Sequence, residues 1–165
     1  MRRFSLVLFF TLLIATVAFI VGTFEQLPLR VATHFGAAGR SSGWMTRDGY
    51  IASILGFGTL FPLFIVSLIT GLPHLTSRPL KIPNRDYWLA PSRREETVAT
   101  LGEFGAWIGC LVTVFIAAMH YMILQANASV PPKLPALLFW SVLGITIVAM
   151  LLWQALFFLR FRRPL

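Results

Sequence analysis

The chain is poor in acid and almost free of thiol. Its 165 residues hold six Asp and Glu against 14 Lys and Arg, with a single cysteine. A lone Cys110 makes no internal disulfide and reads as a small buried apolar residue. Catalytic signatures are missing too. No G-x-S-x-G, H-E-x-x-H or Walker loop occurs, so the motif-based cases for a serine hydrolase, a zinc peptidase and an NTPase fall away. Ser41 and Ser42 have only His34 nearby as a base, which is not a triad. No internal repeat or low-complexity tract is present. Charged residues make up 12% of the chain, about half of the roughly 25% usual in a soluble domain. That scarcity excludes an ordinary water-soluble domain. The formal charge of +8 does not point to nucleic acid, because the cations are spread through loops and form no basic stripe.

What is present is apolar sequence in long runs. Phe4–Gly22, Tyr50–Thr70, Thr97–Leu124 and Pro135–Leu159 are separated by polar loops. Crossing a hydrocarbon core takes about 20 mostly apolar residues. In lipid the backbone must satisfy its own hydrogen bonds, so each run is expected to be a helix. The hydrophobic fraction of 57% and mean hydropathy of +0.77 agree. The expected fold is an all-α membrane protein, one integral domain over 1–165, with helices near 4–22, 50–70, 93–124 and 135–159 and a small hairpin-like extracytoplasmic loop between the first two.

Loop charges set the expected orientation. With the N-terminus in the cytoplasm, the inner segments carry Arg2, Arg3, Arg78, Lys81, Arg85, Arg93, Arg94, Arg160, Arg162 and Arg163. The outer segments carry Arg30, Arg40, Arg47 and Lys133. The positive-inside bias favours both termini inside, and the C-terminal arginines suit contact with anionic lipid. The apolar stretch after Arg2-Arg3 exceeds the usual core of a signal peptide and reads as a retained anchor.

Between the first two helices lies an outer loop. Leu29, Val31, Thr33 and Phe35 alternate with Arg30, Ala32 and His34, which suggests a short strand. Gly36, Gly39 and Gly43 mark turns. Trp44 suits a membrane interface. Thr46 is placed to cap the second helix, with Asp48 in its first turn. Pro62 predicts a kink, Ala52 and Gly56 a close approach to another helix, and Gly71-Leu72-Pro73 the helix end. Ser92-Arg93-Arg94-Glu95 reads as a capping box that starts the third helix. Gly105 and Gly109 form a GxxxG contact face in it. Asn127-Ala128-Ser129 is an acceptor sequon.

The outer loop resembles a known module. Leu27-Pro28, Val31-Ala32-Thr33-His34-Phe35, Gly39 and Gly43-Trp44 are similar in order and spacing to domain of unknown function 1648. That module stands at the start of the bacterial SdpI family, which includes a membrane immunity protein against a toxic peptide. The resemblance spans about one third of the chain. Ala32, Gly36, Ser42 and Thr46-Arg47 stand where the module has Pro, Asn, Asp and Ser-Lys. The C-terminal half of SdpI has no counterpart here; Ile82–Glu96 takes its place. The resemblance implies a protein of the bacterial cytoplasmic membrane with an immunity or signalling role.

Two groups of residues are candidates for binding. Outside, Glu25, His34, Trp44 and His120 form a ligand-binding set. An imidazole there can meet a metal, a peptide or a proton, although the spacing of Glu25, His34 and His120 is no recognised metal signature. The structural alternative for His34 is a backbone hydrogen bond that shapes the loop. Inside, Arg85, Asp86, Arg93, Arg94, Glu96 and Glu103 form a polar set. Glu103 falls within an apolar span, where an unpaired carboxylate is costly. It is expected to pair with Arg85, Arg93 or Arg94, as a functional site or as a simple anchor. Tyr87 and Trp88 suit a segment lying on the inner leaflet or a docking surface, and His74 an interfacial loop. No cofactor is called for. The expected partners are the bilayer, an extracellular peptide or small ligand, and a cytoplasmic protein. The leading expectation is a non-enzymatic sensor or immunity-like factor. The alternatives are a small transporter using Glu103 and His120, and a membrane-embedded enzyme.

Overall fold

The computed structural model describes residues 2–75 and 82–162. Arg78, Lys81 and Arg163 of the charge count lie outside the described residues, as does the side chain of His74. The elements run α1 (Arg2–Gly22), a 3-10 turn (Phe24–Gln26), β1 (Arg30–Phe35), β2 (Ser41–Thr46), α2 (Arg47–Leu75), α3 (Arg85–Trp88), α4 (Arg94–Asn127) and α5 (Ala136–Arg160). Four of the helices are long and apolar enough to cross a membrane. The chain is mostly helical but not purely so, because β1 and β2 form an antiparallel sheet. The expected strand and hairpin-like loop are therefore present as a two-stranded sheet, in which Ser41–Thr46 is the partner strand that the sequence did not place.

α4 is the axis of the bundle. Its 34 residues span about 50 Å at 1.5 Å per residue, so it projects beyond any hydrocarbon core. Half of its apolar window is buried, against none of that of α5. Glycine explains why α1 and α2 sit so close to it. A side chain at Gly109 would strike Val66 of α2 and Phe9 of α1, and one at Gly105 would meet Ile69. The GxxxG face is thus a packing face, around which Phe9, Leu13, Val66 and Cys110 form one core cluster. Ala52 and Gly56 make no such contact: Ala52 is exposed and Gly56 faces open space. Gly58, whose added Cβ would lie 3.0 Å from Ile116, is the small residue that α2 uses there. α2 passes unbroken through the buried Pro62 and continues past Gly71 to Leu75, since a membrane helix tolerates proline where its surroundings satisfy the freed backbone groups.

α5 is peripheral and lies along one side of α4 through aromatic contacts. Phe104 meets Trp153, Phe157 and Phe161 at centroid distances of 6.0, 5.4 and 6.4 Å. The Trp153 indole donates to the Phe104 carbonyl at 3.1 Å.

Helix starts follow local chemistry. Thr46 Oγ1 accepts the Gly49 amide at 3.2 Å, the expected N-cap of α2. The capping box at Ser92 does not form. α4 begins at Arg94, with no side-chain cap from Arg93. The Ala90 carbonyl instead accepts the amides of both Arg93 and Arg94, so the chain enters α4 from a tight turn and Ser92 stays outside it.

Candidate functional site

The most constrained polar site lies where the hairpin meets the helix ends. Thr23 follows α1, Tyr50 is in the first turn of α2, and His120 is near the end of α4. These three stations come to one depth because the three helices pack together. Thr23 donates its only hydroxyl hydrogen to the Phe19 carbonyl at 2.7 Å, so towards His120 Nε2, 2.8 Å away, it accepts. With the imidazole proton on Nε2, Nδ1 accepts from the Tyr50 hydroxyl at 2.9 Å. Both ring nitrogens are thereby satisfied in the neutral form. His120 is fully buried, edge-on to Phe19 at 5.2 Å and nearly parallel to Tyr50 at 5.8 Å. The arrangement is a closed chain of neutral donors and acceptors, which suits a place away from water.

A second lock joins the hairpin to α4. The Asn127 side chain behaves as a short third strand beside β1. Its Oδ1 accepts the Ala32 amide at 2.8 Å, and its Nδ2 donates to the Ala32 carbonyl at 3.0 Å. The other Nδ2 hydrogen goes to the Ile123 carbonyl at 2.9 Å. Ala32 is accordingly buried beside Val31, which breaks the simple alternation expected for β1. Asn127 of the acceptor sequon is thus a structural residue with its amide hydrogens committed. Beneath the hairpin, Leu27, Val31, Tyr50 and Ile123 form a core cluster.

The expected outer set does not converge. His120 is buried at the junction, while His34 is exposed on β1. His34 Nδ1 lies 3.0 Å from Thr33 Oγ1, and the strand register is irregular on both sides of His34. Gly43 makes room for it: a Cβ there would stand 3.0 Å from His34 Cβ and Nδ1. Glu25 is exposed on the 3-10 turn. Trp44 is exposed and lines a small surface hollow with Arg30. Among the described residues, no three His, Cys, Asp or Glu side chains lie close enough to hold a metal, so the trio of Glu25, His34 and His120 is not assembled. Arg47 sits between these features. Its guanidinium covers Phe24 at 4.4 Å and donates to the Leu27 carbonyl at 3.3 Å.

At the opposite end the expected inner set is divided among other partners. Arg85 pairs with its neighbour Asp86 at 3.2 Å. Arg93 lies over the Tyr87 ring at 4.1 Å. Glu96 pairs with Arg160 of α5 at 3.1 Å, and Arg160 also covers Trp88 at 4.8 Å. Arg94 is exposed on the first turn of α4. Trp88 is not a surface anchor. It is buried, and its indole donates to the Phe161 carbonyl at 3.0 Å. Asn84 Nδ2 donates to the same carbonyl at 3.1 Å, and Thr97 donates to the Trp88 carbonyl at 2.7 Å.

Glu103 corrects the expected pairing. Among the described residues it has no hydrogen-bond or ion-pair partner; Arg85 is turned to Asp86 and Arg93 to Tyr87 near the start of α4. It lines a groove between α4 and α5 with Thr100, Trp107, Leu152 and Arg160.

Thr23 and Tyr50 escaped the reading of the sequence, and Arg160 was not recognised as the partner of Glu96. A usable signal existed for the first two: each is a polar residue at the end of an apolar run, at the same bundle end as His120. No family model, curated protein or solved structure matches this chain.

Proposed function

We propose that the chain is a multi-pass protein of the bacterial cytoplasmic membrane, with both termini inside, acting as a non-enzymatic sensor or immunity-like factor. One observation carries this reading. The β1–β2 hairpin is fixed to α4 by the Asn127 side chain on Ala32, beside helix ends tied together through His120, while its outward residues Arg30, His34 and Trp44 are exposed. A binding surface gains from such preorganisation, because little ordering remains to be done when the ligand arrives. Arg30 and Trp44 suit a peptide or small ligand with an anionic or aromatic group. The similarity of this loop to the SdpI module is in keeping with an immunity or signalling role. The bias of cations towards the α3 end favours that end as cytoplasmic.

The transporter alternative is less well supported. Glu103 and His120 lie on the same helix, roughly 25 Å apart along its axis at 1.5 Å per residue. His120 is sealed within its own hydrogen bonds. Orientation and transport are tested together. In intact cells, Ser42→Cys and Ser129→Cys should react with an impermeant thiol reagent and Ser92→Cys should not, with the buried Cys110 silent. In liposomes the protein should give no ion or solute flux above protein-free controls. The reverse labelling pattern inverts the topology, and flux abolished by Glu103→Gln replaces the sensor with a transporter.

A further inference from the structure

The groove between α4 and α5 is amphiphilic along its length. Thr100, Glu103 and Arg160 supply its polar end, and Trp107, Leu111, Ala149 and Leu152 continue it as an apolar channel. The groove is open along one side and has a volume of about 860 Å³. From Thr100 to Leu111 is roughly 16 Å at 1.5 Å per residue, about the length of a medium acyl chain.

Its charges are specific. The Glu103 carboxylate has no partner among the described residues, although it lies in an apolar stretch. Arg160 commits Nη2 to Glu96 at 3.1 Å, and among the described residues no other hydrogen bond or ion pair occupies its remaining donors. The polar end therefore offers one open acceptor and one partly used cation. An ammonium group that keeps its hydrogens meets the carboxylate through charge-assisted hydrogen bonds. An adjoining phosphate meets the guanidinium. A quaternary ammonium has no N–H to give. A wholly anionic headgroup is repelled by Glu103.

We propose that this groove is a lipid site selective for a phospholipid with a primary-ammonium headgroup, namely phosphatidylethanolamine. The ammonium bonds Glu103, the phosphate lies against Arg160, and one acyl chain follows Trp107 towards Leu111 between the helices. The proposal is independent of the role given to the hairpin.

Native mass spectrometry tests it on the full chain, delipidated and then offered equal amounts of phosphatidylethanolamine, phosphatidylcholine and phosphatidylglycerol. The wild type should retain phosphatidylethanolamine over phosphatidylcholine by roughly tenfold, the scale of one hydrogen bond to a charged group. Glu103→Gln, which keeps the shape and an acceptor oxygen, should bring that ratio close to one with helical content unchanged. Leu152→Trp, which fills the channel, should lower retention of all three lipids together. Equal retention by the wild type, or a preference for phosphatidylglycerol, would overturn the headgroup assignment. A stable dimer cross-linked through Leu152→Cys, with no lipid retained, would overturn it as well, since a second copy would then occupy the groove.

Discussion

The two ends of the bundle solve the same problem in different ways. At the hairpin end, side-chain hydrogen bonds join separate elements around the buried His120 and Tyr50: Thr23, His120 and Tyr50 in one chain, Asn127 and Ala32 in another. At the α3 end, the charged pairs are exposed, and the order comes from aromatic packing of Trp88, Phe104, Phe157 and Phe161 together with the bonds that Trp88 and Thr97 donate to main-chain carbonyls. The difference matters because a buried hydrogen bond fixes both direction and register, and losing one partner leaves the other unsatisfied. An exposed ion pair fixes little and is screened by salt. One end is accordingly mounted by side-chain bonds between elements, and the other by aromatic packing with exposed ion pairs at its rim.

The sharpest contrast comes from removing the imidazole. His120→Leu leaves the Tyr50 hydroxyl buried with no acceptor and takes a donor from Thr23. We expect it to destabilise the protein by about 2 kcal/mol, at the upper end for membrane hydrogen bonds. The loss would appear as a lower midpoint in unfolding from mixed micelles. Tyr50→Phe removes one bond of the same chain and should cost about half as much. Because the two groups act as a unit, the double variant should lose less than the sum.

Most of the helical frame was legible before the structure, because 20-residue apolar runs in lipid have few alternatives to a helix. The Gly105–Gly109 face and the Thr46 cap were legible for the same reason: each is a local rule with few competitors. The polar sites were not. His120 looked like a possible ligand-binder because its partners Thr23 and Tyr50 lie 97 and 70 residues away in sequence, and sequence spacing cannot pair residues on different helices. An apolar setting alone implies that Glu103 needs an arginine from the loop. The helix start was legible to within a residue, but that Arg93 turns onto the Tyr87 ring depends on where α3 packs, which sequence spacing does not give.

The smallest effect should come from the other end. Glu96→Gln breaks the pair with Arg160, whose partner side chains are 37% and 69% exposed. Such a pair contributes less than about 1 kcal/mol. The unfolding midpoint should barely move, and raising the salt should erase the residual difference. A loss as large as that of His120→Leu would show that the two ends are not built differently.

Hydrogen exchange at the hairpin tests the mount most directly. Asn127→Ala removes the side chain that holds both backbone groups of Ala32 and leaves the helices otherwise intact. In the wild type, the amides of Val31 and Ala32 should be protected nearly as well as those in the middle of α4. In Asn127→Ala, protection of Ala32 should fall by at least about tenfold, as expected when a local opening becomes roughly 1.4 kcal/mol easier, while α4 is unchanged. Wild-type hairpin amides that exchange as fast as an exposed loop, or an Ala32 amide indifferent to Asn127→Ala, would contradict the mount.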